Sequence, residues 1–295
     1  MKYRYLFIPL FLPTLCFGQD ANIAQTEQAK TALHQANTGK IFFTEKHINN
    51  EILAPEDFLR NYKLTHKSNL FFVAFFNNSL TNYKHQLLPE FSKDTLFKLG
   101  NYQFTIFIDN KLTYQSNLIP GAPQEKNQDV DTYLNRPFID NENGQGTWSE
   151  SFWNRFMNNG GDKLLTDGNH LLRMEIRPYV KTDSIKIGEL MAAGELRIQV
   201  SRHSKIDIKN VRLNKIAPYK GIGVSNAYFD EKKIRQLKAA INEGIFKKIN
   251  SVVVLKEGKI LLEEYFNGED RNSLHDPRSV GKSFVSTLIG ISIKE

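Results

Sequence analysis

The chain has 295 residues, of which 40% are apolar and 24% charged, with a formal net charge of +7. That length accommodates two domains, and the composition is ordinary for a soluble globular protein. Lys and Arg alternate with acids and form no long basic run, so the positive excess reads as a solvated surface and excludes a nucleic-acid footprint.

Residues 1–18 read as a signal peptide. Lys2 and Arg4 form a positive start, and the apolar stretch 6–17 is broken by Pro9 and Pro13 and is too short to span a bilayer. Gly18 is a small residue suited to cleavage before Gln19. Lipidation of Cys16 is the alternative, disfavoured because Leu15 is too large for a good lipobox. Cleavage removes the only cysteine and leaves no thiol or disulfide, which is compatible with an oxidising compartment. An exported chain, periplasmic or secreted and with no transmembrane span, is expected.

Residues 19–38 form a polar, Ala/Gln-rich leader, with 26–37 either helical or loose. The signal then becomes β. Runs at 41–43, 69–76 and 102–108 are rich in aromatic and β-branched residues. A turn at Asp109-Asn110-Lys111 leads to Leu112-Thr113-Tyr114-Gln115, and 170–177 and 195–200 alternate apolar with polar. Short strands at turn-marked intervals predict a mainly β domain over 39–204, an antiparallel β-sandwich or jelly roll.

Within that domain, Trp148, Phe152, Trp153 and Phe156 lie beside polar groups. Such rings can stack on sugars or clamp a partner. Packing of the rings beneath a loop is the favoured reading, because aromatics tend to be buried. Asp140, Glu142, Asp162 and Asp167 sit near glycine-rich turns and offer oxygen ligands for calcium, but no EF-hand spacing is present and acidic turns are usually only turns. His34, His47, His66, His85, His170, His203 and His275 show no metal-ligand spacing. No metal and no cofactor is expected.

Residues 205–229 read as a linker, with 205–209 a last strand or an edge and a Pro/Gly-broken stretch at 218–225. Asp230 is a suitable N-cap for a helix over 232–248, whose Ile234, Leu237, Ala240, Ile241 and Ile245 share one side. Two β-rich runs, 251–255 and 260–266, flank a turn containing Gly258 and predict a hairpin. After the break at 267–270 come Pro277, then Ser279-Val280-Gly281-Lys282, then an apolar helix bearing Phe284, Val285, Leu288, Ile289, Ile291 and Ile293.

Ser-x-x-Lys spacing has a physical use. A serine hydroxyl needs a neighbouring base. Helix residues three apart share a face, so Ser279 and Lys282 would look into one cleft. A helix start favours developing negative charge, and a desolvated lysine can serve as the base. The bland alternative is a serine N-cap followed by a solvated lysine.

Helix, hairpin, loop and the run from Asp276 to Ile291 together resemble the start of a serine β-lactamase or penicillin-binding-protein domain, most similar to the class C-like, β-lactamase-related esterase branch. The resemblance covers residues 230–295. It implies an α+β domain in which Ser279 is acylated by an ester, amide or β-lactam and Lys282 acts as base. The family also carries a later Tyr-x-Asn or Ser-x-Asn and a Lys/His-x-Gly. Neither follows Lys282, and Tyr133-Leu134-Asn135 and Tyr265-Phe266-Asn267 precede the serine, so that role is not carried onto them. His275 is read as structural, since the family uses no histidine there.

The reading is therefore the N-terminal portion of an exported serine hydrolase, inactive by itself, with 230–295 an incomplete core that folds poorly alone. Its partners would be a small-molecule or peptide acyl substrate and a cell-envelope glycan or peptidoglycan, with no nucleic acid. Two alternatives are a secreted β-sandwich binding module with a vestigial hydrolase tail, using the face around Trp148 and Trp153, and a surface structural protein without a ligand.

Overall fold

The computed structural model describes residues 23–26, 31–49, 51–122, 125–139, 149–246 and 248–294. The signal peptide expected at 1–18 with Cys16, and the candidates Asp140, Glu142 and Trp148, lie outside the described residues. The chain divides into two compact units, residues 1–202 and 203–295. It is a mixed α/β chain with several sheets.

In the first unit the elements run α1 (Ala32–Asn37), β1 (Ile41–Thr44), β2 (Asn61–Thr65), β3 (Leu70–Phe75), α2 (Leu80–Leu87), α3 (Lys93–Leu99), β4 (Gly100–Ile108), β5 (Lys111–Asn117), α4 (Glu125–Val130), β6 (Tyr133–Ile139), α5 (Ser149–Phe156), α6 (Asp162–Leu164), β7 (Gly168–Lys181), β8 (Ile185–Ile187) and β9 (Ala192–Ser201). One sheet has the order β1-β3-β6. The other runs β2-β9-β7-β4-β5, with β8 on β7. All of β3 is buried, which is why it reads as an unbroken apolar run, whereas β9 alternates along most of its length because one of its faces is wet.

The two sheets share a core. Ile41, Phe72, Ala74 and Phe138 of the first pack with Phe104, Ile106, Met174 and Ile198 of the second, and the rings of Phe72 and Phe104 lie 5.9 Å apart. The sheets meet at Gly194, where an added Cβ would lie 1.9 Å from the Ile41 carbonyl oxygen. Only glycine permits that approach.

Several expectations are corrected here. The large sheet is not wholly antiparallel, because β2 and β9 pair in parallel. Helices α2 and α3 interrupt the expected run of strands, each capped by a serine: Ser79 accepts from Asn82 N–H at 3.4 Å and Ser92 from Thr95 N–H at 3.3 Å. The leader is anchored at residues 23 and 24, since the Asn82 amide accepts both the Ile23 and Ala24 N–H groups and donates to Ala24 O. Of the stretch 26–37, which the sequence leaves either helical or loose, Ala32–Asn37 is helical among the described residues.

In the second unit, α7 (Glu231–Asn242) is followed by β10 (Ser251–Lys256), β11 (Lys259–Tyr265) and α8 (Gly281–Lys294). Asp230 caps α7 by accepting from Lys233 N–H. The helix ends short of the expected 248, where Gly244 takes a φ of +74° and donates its N–H to Ile241 O. β10 and β11 form an antiparallel hairpin whose turn residues Glu257 and Gly258 both have positive φ. The stretch 205–209 forms no strand, and a 3-10 turn spans Ile208–Asn210. Residues 211–225 pack within this unit: Val211 is buried, and Gly223 O and Ser225 N–H bond to Ile260.

Candidate active site at the start of the last helix

The loop into α8 is organised by Arg271. Its Nε donates to Glu263 Oε1 at 2.7 Å and its Nη2 to Glu263 Oε2, and the same guanidinium donates to Ala217 O at 3.0 Å and Pro218 O at 3.3 Å. It also lies 5.0 Å over the Tyr219 ring. The Arg271 guanidinium holds the Glu263 carboxyl below the usual carboxylate range, helped by the Tyr265 hydroxyl and against the effect of burial. Sequence reasoning passed over Arg271. Its signal is modest, a lone arginine shortly after the carboxylate-bearing strand β11.

Downstream, Asp276 Oδ1 accepts the Arg278 N–H at 2.9 Å and Pro277 O accepts the Val280 N–H at 2.9 Å. This makes a 3-10 turn over Arg278–Val280, so Ser279 lies on that turn and not at the start of the helix itself, where its spacing from Lys282 predicts it. Lys282 stands in the first turn of α8, and its Nζ donates to Ser279 Oγ at 3.4 Å. The two residues singled out by spacing are therefore together.

Both are exposed, as is every apolar side chain on α8, with Phe284 at 65% and Ile293 at 81%. A lysine accepts a proton from serine only once its ammonium is withdrawn from water. No described residue covers this pair. In this arrangement Lys282 is a donor to the hydroxyl, and proton abstraction requires the pair to be enclosed.

No protein-family model, curated protein or solved structure matches this chain. The family resemblance therefore rests on the residues themselves.

The other sequence candidates separate from this pair. Tyr133 and Asn135 lie on β6 of the first unit, where the Asn135 amide donates to Ile48 O at 2.8 Å. Tyr265 gives its hydroxyl to Glu263, and the Asn267 amide donates to Ile249 O and Asn250 Oδ1. His275 is on the exposed loop before the turn. In the first unit Phe152 and Phe156 of α5 belong to the core, and Trp153 is half-buried, edge-on to Phe138 at 5.1 Å. Asp162 pairs with the Arg202 side chain and Asp167 accepts the Arg202 N–H. Among the described residues no three His, Cys, Asp or Glu side chains converge as a metal site, and no helix is long and apolar enough to cross a membrane.

Proposed function

We propose that this chain carries the nucleophile element of an exported serine hydrolase related to β-lactamases and penicillin-binding proteins. Ser279 is the residue acylated by an ester, amide or β-lactam, and Lys282 is its base. The observation that carries this reading is the 3.4 Å approach of Lys282 Nζ to Ser279 Oγ at the head of an apolar helix. The order α7, β10, β11, α8 supports it, being the order in which the β-lactamase-like domain begins. The first unit, two sheets around one core, is read as a sandwich-like domain placed ahead of it.

The exposure of the pair sets the expected behaviour: without a cover over Ser279 and Lys282, this chain turns over no substrate. The test is to read the coding sequence beyond codon 295. Continuation into Tyr-x-Asn and then Lys/His-x-Gly, with a serine-reactive phosphonate labelling the extended product and not its Ser279→Ala variant, supports the hydrolase. A stop with neither motif, or labelling that survives Ser279→Ala, refutes it. The second reading, a sandwich binding module with a vestigial tail, is favoured by that same exposure of α8.

A further inference from the structure

A groove in the first unit is independent of the Ser279 reading. Two adjoining cavities of about 850 and 610 Å³ share Leu171, Glu195 and Arg197. Strand register determines what lines them. Asn61, Arg197 and Leu171 stand abreast on β2, β9 and β7, and Lys63, Gln199 and Asn169 form the next row on the same face. Tyr62 and Ile198, between the rows, point the other way into the core. The rows lie roughly 6.6 Å apart along the strands, and neighbours in a row about 4.8 Å apart.

The charge on this surface is unbalanced. Lys40, Arg60, Lys63 and Arg197 line the two cavities against Asp109 and Glu195. Asp109 is already engaged by His170 Nδ1 at 2.7 Å. Among the described residues Arg60, Lys63 and Arg197 form no ion pair. Three unpaired cations around one groove create a local positive field that selects an anion.

The remaining lining narrows the class of anion. Asn61, Asn169 and Gln199 are exposed, and each amide offers a donor beside an acceptor, which suits vicinal hydroxyls. Phe42 and Phe58 stack at 4.1 Å and, with Leu171, give the second cavity an apolar wall for the non-polar face of a ring. An acidic peptide is the poorer fit over β9. The main chain of that strand is already bonded to β2 on one side and β7 on the other, so recognition across it comes from side chains. β2 is the edge strand, and it is there that a peptide would have to add.

We propose that this groove binds a carboxylate-bearing oligosaccharide, with Arg197 at the junction of the cavities as its principal carboxylate ligand and Arg60 and Lys63 flanking it. A guanidinium takes a carboxylate through two parallel N–H bonds, while the amides take the ring hydroxyls.

The test is isothermal titration of the full chain with an oligogalacturonide and an oligomannuronate, set beside a neutral oligosaccharide of equal length and poly-glutamate. We expect saturable binding to at least one uronate oligomer that weakens as salt rises. Arg197→Gln should weaken it about tenfold, the worth of one charge-assisted contact, and Arg60→Gln should weaken it independently. Both side chains are exposed, so the melting temperature should not change, and Lys63→Gln replaces either variant that fails to fold. The proposal is overturned by absence of binding to both uronates, by equal binding of the neutral sugar, or by unchanged affinity in the variants. Equal or tighter binding of poly-glutamate would overturn it in favour of an acidic peptide.

Discussion

Replacing Lys238 with methionine should unfold the second unit while leaving the first intact. The Glu264 side chain is 2% exposed and that of Lys238 15%, with Nζ and Oε2 2.5 Å apart. The other carboxylate oxygen accepts the Asn214 N–H at 2.8 Å, and Lys238 also donates to Asn214 Oδ1 at 3.3 Å. Methionine keeps the stem and deletes the ammonium, so a buried carboxylate is left with one neutral donor. Removing one partner of a buried pair costs about 3–5 kcal/mol. The unit has little to set against this loss. Its buried apolar residues are Val211, Ala239, Ile241, Ile260, Leu262 and Phe266, and domains in general retain a net stability of only about 5–15 kcal/mol. Hydrogen exchange of amides in α7 and β11 should accelerate to the limit set by global opening of the unit. The fluorescence transition should stay in place, because both tryptophans lie in residues 1–202. A Lys238→Met/Glu264→Leu double variant should recover most of the loss, since it leaves no charge stranded. Exchange free energies in the single variant within about 0.5 kcal/mol of wild type would refute the reasoning.

Two predictions concern the first unit. Phe152 is buried against Phe104, Tyr114 and Phe138, so Phe152→Ala should cost roughly 3–5 kcal/mol and lower the melting temperature on the order of 10 °C; a shift under about 3 °C would place the ring outside the core. Asp109 is pushed up by burial but pulled down further by hydrogen bonds from His170 and the Leu171 N–H, leaving its carboxyl below its ordinary 3.8. Because the folded value is depressed, the stability it contributes is present above that ordinary value and is lost as pH falls through the lower folded one. The carboxylate is half exposed, so the gap in urea midpoint between wild type and Asp109→Asn should be small at about pH 5 and close on acidification; a gap that widened in acid would contradict this sign.

Much of the candidate site was legible because it is local. The spacing of Ser279 and Lys282, the Asp230 cap and the Glu257-Gly258 turn are all decided within a few residues, and β3 and β4 announce themselves through unbroken apolar and aromatic runs. β2 was missed because only Tyr62 and Leu64 of its five residues face the core. The helix α2 was missed because its interior holds polar residues. Asn82 and Lys84 are fully buried, and their partners, such as Ala24 O and Gln128 Oε1, come from distant segments. The chain by itself thus determined β3 and β4, the Asp230 cap, the Glu257-Gly258 turn, and the nearness of one serine to one lysine. Tertiary structure decided that β2 runs parallel to β9, that Asn61 and Lys63 stand beside Arg197 and Gln199, and that Arg271 closes on Glu263 and the carbonyls of Ala217 and Pro218. The physical reason is range: hydrogen-bonded turns and helix periodicity are written in neighbouring residues, whereas strand partners and ion pairs between distant segments are chosen by which arrangement of the whole chain buries its apolar faces and leaves its charges paired or wet.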